Sequence, residues 1–211
     1  MLTIQVITCI SVVVAVVAMI AKAIRYITAP QGMRWELYPV PHEKGRAEYG
    51  GSYLEELDWW TKKRETDTFN ELKEMFTEIV LLKGVFHNNK KVWVSSFPFH
   101  FGMYLCIGWL GLLLVGAVMN IFDMPVGAEA PGILGQLVHW GTLVTGYPGL
   151  ILSGLGALGL LIWRAGDKGQ RRYNAPIDYF NLVFFVAMAA VTLVATYQTD
   201  QSFGILRSYI G

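Results

Sequence analysis

Apolar residues run without a charged side chain through four long segments of the chain. The segments are Met1–Ala21, Phe97–Phe122, Ile133–Trp163 and Tyr179–Thr199. Each is long enough to cross a bilayer as a helix, which takes about 20 residues at about 1.5 Å of rise each. Backbone N–H and C=O groups must be paired inside hydrocarbon, and segments of this length exceed a barrel strand. The pattern therefore predicts an all-α integral membrane helix bundle with four transmembrane helices.

Composition and charge support the membrane class and give the bundle a direction. Only 16% of the 211 residues are charged, against about 25% in an average soluble domain. The short connection 164–178 contains four basic residues, whereas the only charges in the connection 123–131 are acidic. Because basic loops stay inside, we expect a multi-pass protein of a prokaryotic cytoplasmic membrane with its N-terminus outside. The first helix should be retained as an anchor, since its basic residues follow the apolar run.

The same pattern divides the chain into three regions. Residues 1–27 form the first transmembrane helix, residues 28–96 a cytoplasmic docking stretch, and residues 97–211 the second to fourth helices with the candidate ligands. Apolar residues recur at helical spacing between positions 68 and 83, which predicts an amphipathic helix. This helix could lie on the membrane surface or pack under a partner subunit. Its mixed charge favours a docking surface over a polybasic lipid binder, and no nucleic acid partner is expected.

Two histidines within the predicted spans carry most of the chemical interest. An ionisable group inside a spanning helix is costly and usually functional, and neutral imidazole is the common axial ligand of b-type haem. His100 shares its helix face with Gly111, and His139 shares its face with Gly135 and Gly146. Such small neighbours leave room for a porphyrin or another helix. The alternative is a histidine that is hydrogen-bonded at a helix end, beside glycines that serve only helix packing.

The predicted topology constrains what these histidines can bind. The second and third helices run antiparallel, so His100 should lie near the cytoplasmic face and His139 near the outer face, roughly 20–30 Å apart. They cannot ligate the same iron. The remaining histidines, His42 and His87, fall in the cytoplasmic stretch. Either could approach His100 but neither can reach His139, so second axial ligands should come mainly from outside this chain. Pro98 suits the first turn of the second helix, where its missing N–H leaves no hydrogen bond unmade.

Three sequence motifs resemble a known family of membrane subunits. They are the run 34–43 (RWELYPVPHE), Asp58-Trp59-Trp60, and the run 96–102 (SFPFHFG). The chain is similar over most of its length to membrane cytochrome b subunits related to the gamma subunit of respiratory nitrate reductase. Within that group it resembles the subunits that accompany heterodisulfide-reductase-like iron–sulfur proteins in sulfate reducers and other anaerobes.

The resemblance implies a function and a set of partners. Such subunits have five helices, bind one or two b haems, and pass electrons between menaquinone and a cytoplasmic iron–sulfur subunit in anaerobic respiration. His100 would be the haem ligand on the cytoplasmic side and His139 the ligand on the outer side. The sequence stops at Gly211, where the family continues into a fifth helix, so we expect that helix from further polypeptide or another subunit. The alternative function is a haem-free membrane anchor or assembly subunit that docks a cytoplasmic enzyme.

Overall fold

The computed structural model describes residues 2–29, 40–45 and 52–210, and these residues form helices, turns and one isolated bridge between Glu43 and Thr66. Short 3₁₀ turns occur at 53–55, 59–61 and 170–172. The α-helices in the described residues are α1 (Leu2–Thr28), α2 (Thr68–Val80), α3 (Lys83–Asn88), α4 (Lys90–Ile121), α5 (Ile133–Gly166), α6 (Pro176–Thr199) and α7 (Gly204–Ile210).

Four of the described helices, α1, α4, α5 and α6, are long and apolar enough to cross a membrane. This confirms the predicted all-α bundle with four transmembrane helices. Their large apolar side chains face outward, and Ile107, Val144, Leu155 and Val191 are each more than 60% exposed. A protein surface this apolar is stable when lipid covers it, so the chain is a multi-pass membrane protein whose helices contact the bilayer.

Helix α4 begins before the apolar run that predicted it. It starts at Lys90, where the Asn89 side chain accepts a hydrogen bond from the Val92 N–H at 3.2 Å. Hydropathy marks only the part of a helix that lipid can cover, so it missed this polar first section. The expectation that Pro98 occupies the first turn is therefore wrong, because Pro98 lies inside α4. Its missing N–H leaves the Val94 carbonyl without its helical hydrogen bond.

The described residues divide into two compact units, Met1–Phe76 and Thr77–Gly211. In the first unit no described residue of α1 is buried. A small hydrogen-bonded cluster within this unit surrounds Glu43, which is only 2% exposed. The Glu43 carboxylate accepts hydrogen bonds from the Ser52 hydroxyl at 2.9 Å and the Tyr53 N–H at 2.7 Å. Of the predicted motif 34–43, residues 34–39 lie outside the described residues.

The second unit is built on the antiparallel pair α4 and α5. Their backbones touch, because a Cβ atom on Gly102 would lie 2.3 Å from the Ser153 nitrogen, and one on Gly156 would lie 2.4 Å from the Phe99 nitrogen. Helix α6 packs on α5, where the Ala189 methyl group lies against Gly154. The core cluster of this unit consists of Phe99, Ala157, Leu160 and Leu182. Helices α4 and α5 are thus fixed in register next to His100.

The predicted amphipathic helix is present but ends earlier than expected. Helix α2 stops at Val80, and Leu82 then takes a left-handed conformation with φ 52° before α3 begins. The apolar side chains of α2 are exposed within the chain; they are Phe69, Leu72, Met75, Phe76 and Ile79. Its C-terminal end is tied to α4. The Tyr104 hydroxyl donates to the Ile79 carbonyl at 2.7 Å, and the Trp93 indole donates to the Leu81 carbonyl at 2.9 Å.

Candidate functional site

The two intramembrane histidines lie at opposite ends of the α4–α5 pair. His100 lies in α4 next to Phe99, which packs on Gly156 of α5. Gly116 lies sixteen residues further along α4, a rise of roughly 24 Å, and it faces Val138, the neighbour of His139. The structure therefore does not bring the two predicted site residues together.

His100 is held in a defined orientation by its own helix. Its Nδ1 lies 2.8 Å from the Ser96 carbonyl oxygen and 3.3 Å from the Ser96 hydroxyl. A carbonyl oxygen only accepts, so the shorter contact requires Nδ1 to carry the proton and to donate. Nε2 is then the nitrogen with a free lone pair. Metal-binding histidines typically donate their second ring N–H to a carbonyl in this way.

His100 and Ser96 line a cleft of about 590 Å³ between α3, α4, α5 and α6. The apolar side chains of Phe99, Leu160 and Leu182 form part of its wall. Next to them the cleft is polar, and these lining residues are Asn88, Asn89 and Arg164. The cleft thus combines an imidazole, an apolar wall and one cationic side chain.

An aromatic column stands beside this cleft on α4. The rings of Trp93 and Phe97 stack at a centroid distance of 4.9 Å, and those of Phe97 and Phe101 stack at 5.7 Å. Phe86 of α3 packs edge-on against Trp93 at 5.1 Å. Spacing of four residues along a helix places side chains above one another. The column extends the helix beyond its apolar run and connects α3 to the end of α4 that carries His100.

His139 lies in a different environment, closed by α7. The His139 residue is 7% exposed and Arg207 of α7 is 4% exposed. The Arg207 side chain lies on Gly116, where its Cδ is 2.7 Å from the position a Cβ would take. Phe203, which precedes α7, packs against the rings of Trp109 at 5.1 Å and Tyr147 at 5.0 Å. Helix α7 therefore covers the glycine-bearing surface near His139.

Three buried nitrogen atoms at this end have no hydrogen-bond partner among the described residues. They are His139 Nδ1, Arg207 Nη1 and Trp109 Nε1. Burial lowers the pKa of Arg207, although a guanidinium stays charged in proteins. Unpaired buried donors cost about 1–3 kcal/mol each, and more when charged. The interior of this end of the bundle therefore contains buried polar atoms that lack hydrogen-bond partners among the described residues.

Asp200 anchors α7 at its start. Burial alone would raise the pKa of Asp200, but hydrogen bonds from the Ser202 hydroxyl and from the backbone N–H groups of Ile205, Ser202 and Gly204 keep it below the ordinary aspartate value. The Ile205 N–H bond measures 2.8 Å. The carboxylate thus caps α7, and its negative charge raises the pKa of Arg207 against the larger effect of burial.

The two histidines differ in how well their surroundings fit a haem group. At His100 the fixed imidazole, the free Nε2 and the adjoining cleft match what an axial ligand needs. At His139 the side chains of Arg207 and Phe203 fill the neighbouring surface, so the residues do not fit a porphyrin while α7 is packed there. The assignment of His139 to a second haem stays a prediction that requires α7 to move aside.

The histidines of the first connecting stretch do not join either site. His87 lies in α3, where its ring packs edge-on against Phe86 at 5.7 Å, and it does not line the cleft at His100. In the first unit, the Nε2 atom of His42 lies 4.0 Å from the Oε1 atom of Glu43. Within the described residues, no group of three or more His, Cys, Asp or Glu side chains could hold a metal ion.

Sequence reasoning missed Arg164, Trp109 and Arg207 as parts of these two environments. In the sequence, Arg164 counted only as one of the basic residues of a loop that predicts the orientation. Its position directly after an apolar run could have indicated that it belongs to the last turn of a spanning helix. Trp109 lies in the middle of an apolar run, where no sequence pattern distinguished it from its neighbours. Arg207 followed the last apolar run, and no periodic pattern indicated that the chain folds back there.

Comparisons with known proteins add no further information. No family model matches the chain, and neither the curated proteins nor the solved structures contain a match.

Proposed function

We propose that this chain is a haem b membrane subunit that transfers electrons between a quinone pool, with menaquinone the expected quinone, and a cytoplasmic iron–sulfur partner in an anaerobic respiratory complex. The observation that carries the proposal is His100. Its Nδ1 is fixed by the Ser96 carbonyl at 2.8 Å, and it lines a cleft of about 590 Å³. This is the arrangement an axial imidazole ligand requires.

A bound haem supplies one-electron transfer, and the residues of this chain supply its placement and surroundings. The Ser96 carbonyl keeps the proton on Nδ1 and makes Nε2 a better electron donor to a metal. Phe99, Leu160 and Leu182 exclude water from the wall of the cleft, and the close α4–α5 contact keeps the imidazole in place. The second haem predicted at His139 is not part of this proposal, because the side chains of Arg207 and Phe203 fill the surface next to that histidine.

The orientation and the partner belong to the same proposal. The basic connection 164–178 is expected to face the cytoplasm, which puts His100 on that side and the N-terminus outside. The iron–sulfur partner would then approach the His100 end. Helix α2 is a candidate docking element for this partner, because its apolar side chains Leu72, Phe76 and Ile79 are exposed.

A second candidate function is a haem-free membrane anchor or assembly subunit that docks a cytoplasmic enzyme. The exposed apolar face of α2 favours it, because this face serves docking whether or not the chain holds a cofactor. The two functions agree on topology and differ only in haem content. One experiment therefore separates them.

The test is haem content in the complex that contains the full chain and its partner subunits, measured by reduced-minus-oxidised spectra and by a pyridine haemochrome assay. We expect b-type bands in the wild type and their loss in His100→Ala. His87→Ala and His42→Ala are matched controls, because neither histidine lines the cleft, and both should keep the haem. A His139→Ala variant tests the predicted second haem, and an unchanged haem content would mean that His139 binds none. Full haem content in His100→Ala refutes the proposal, and a haem-free complete complex supports the anchor.

A further inference from the structure

The cleft at His100 has the chemistry of a site for a flat apolar ligand with an acidic edge. Its wall includes Phe99, Leu160 and Leu182, and its polar part includes the amides of Asn88 and Asn89. Arg164 is the one charged side chain among the described residues that line it. None of the described lining residues carries a carboxylate, and the carboxylate of Glu78 next to the cleft accepts a hydrogen bond from the N–H of the lining residue Gly84 at 3.0 Å. A buried apolar body would therefore be accepted at one side and an anion at the other.

Arg164 is placed to reach a ligand held at His100. Gly156 of α5 packs on Phe99, beside His100, and Arg164 lies about two turns beyond Gly156, a rise of roughly 12 Å. It occupies the last turn of α5, where the helix dipole favours a cation. The Tyr179 hydroxyl donates to the Arg164 carbonyl at 3.4 Å, which ties this turn to α6. This rise of roughly 12 Å can be spanned by an arginine side chain together with a ligand several ångströms wide.

We propose that Arg164 is a positioning residue that binds the acidic edge of the ligand held at His100, so that the cleft selects a planar apolar molecule with carboxylates on one side. The proposal rests on the proposed function, in which that ligand is a haem and the carboxylates are its propionates. A guanidinium pairs with a carboxylate through two parallel hydrogen bonds, which fixes the orientation of the ligand as well as its affinity. The adjoining positive charge also favours the reduced form of the bound group, and so raises its midpoint potential.

The experiment compares haem with haem dimethyl ester, in which both propionates are esterified. Each is titrated into the apo form of the full chain in lipid nanodiscs, and binding is followed by the Soret band. We expect the wild type to bind the free acid about tenfold more tightly than the ester. Arg164→Gln should lose this preference while it keeps a His100-dependent spectrum. Lys168→Gln removes a charge of the same sign from the adjoining connection and should keep the preference.

Two further readouts separate positioning from a general loss of structure. Arg164→Lys keeps the charge and should keep part of the preference, whereas a misfolded variant would lose both ligands. The midpoint potential of the bound haem should fall in Arg164→Gln and stay unchanged in Lys168→Gln. Because differences between two ligands are compared across variants, membrane partitioning of the ester cancels.

The outcomes that overturn this inference differ from those that overturn the proposed function. A wild type that binds acid and ester equally well, or an Arg164→Gln variant that keeps the full preference, refutes the role of Arg164 and leaves His100 as the ligand. If His100→Ala binds haem as the wild type does, the proposed function fails. A preference for the free acid that still depends on Arg164 would then continue to support an acidic-ligand site at Arg164.

Discussion

Replacing Gly102 with alanine adds a methyl group where α4 and α5 touch backbone to backbone. The new Cβ would lie 2.3 Å from the Ser153 nitrogen and 2.9 Å from the Gly149 carbonyl oxygen, whereas ordinary contacts begin at 3.4 Å. Both atoms belong to a helix backbone, so no side chain can rotate away. The helices must separate by about 1 Å along a contact that also packs Phe99 on Gly156. Overpacking costs about 1–3 kcal/mol where side chains can adjust, so we expect at least about 3 kcal/mol here.

Gly111 provides a matched control on the same helix, because a Cβ there would meet no atom within 4 Å. Gly111→Ala should be neutral or stabilising by up to about 1 kcal/mol through helix propensity. The assay is thermal unfolding of the full chain in one detergent, followed by circular dichroism. Gly102→Ala should lower the midpoint by on the order of 10 °C. Equal midpoints for the two variants would refute the close α4–α5 contact and the fixed placement of His100 that follows from it.

Three other predictions concern α7 and the orientation of the bundle. The folded pKa of Asp200 is lowered, so its contribution to stability is fully present above the unfolded pKa of about 4 and is lost as the pH falls through the lower folded pKa. The difference between the unfolding midpoints of wild type and Asp200→Asn should therefore shrink as the pH is lowered below about 4, and a difference that stays constant would contradict this. Arg207→Met keeps about the same side-chain volume and removes a buried cation whose Nη1 has no hydrogen-bond partner among the described residues; it should be neutral or stabilising by about 1–4 kcal/mol in the same assay, and a loss of several kcal/mol would mean that the attraction between Arg207 and Asp200 outweighs the cost of burying the guanidinium. In a background with the native cysteines replaced by alanine, a cysteine at Gly127 should react with an impermeant thiol reagent in intact cells, while one at Gly169 should be shielded, and the opposite labelling would reverse the orientation.

The spanning helices could be predicted because their signal is compositional. An uncharged run of twenty or more residues has one stable structure in a bilayer, and the runs beginning at Phe97 and Ile133 are found within α4 and α5. Their ends could not be predicted in the same way. The first two turns of α4 contain Lys90 and Lys91, and they are helical because of the Asn89 cap and the aromatic column. Those are local contacts that a hydropathy pattern does not record.

Helix α7 could not be predicted because little in its own sequence makes it a helix. Seven residues are too few for a stable helix in isolation. Its stability comes from the Asp200 cap, from the burial of Phe203, and from the packing of Arg207 on Gly116. Each of these partners is distant in sequence or lies in a turn with an unusual backbone, since Phe203 has φ 56°.

In the candidate site, His100 could be predicted from the sequence, whereas the cleft beside it could not. His100 stood out because an ionisable side chain within an apolar run is rare, and that reasoning needs no tertiary structure. The cleft beside it needs four helices, α3 to α6, to meet, and only the structure shows which side chains they bring to it. Arg164 illustrates this, because its sequence position indicates a cytoplasmic loop and its place in the fold is the lining of the cleft.

The way α7 packs also determines when it can form. Its contact surface consists of Gly116 on α4 and the Trp109 and Tyr147 rings from α4 and α5. That surface exists only after these two spans have paired, and α7 follows both of them in the chain. During synthesis, the side chains of Phe203 and Arg207 therefore stay accessible until α4 and α5 have paired. In newly made chains, protease resistance of the 200–210 segment would then report that the inserted helices have paired and that α7 has packed on them.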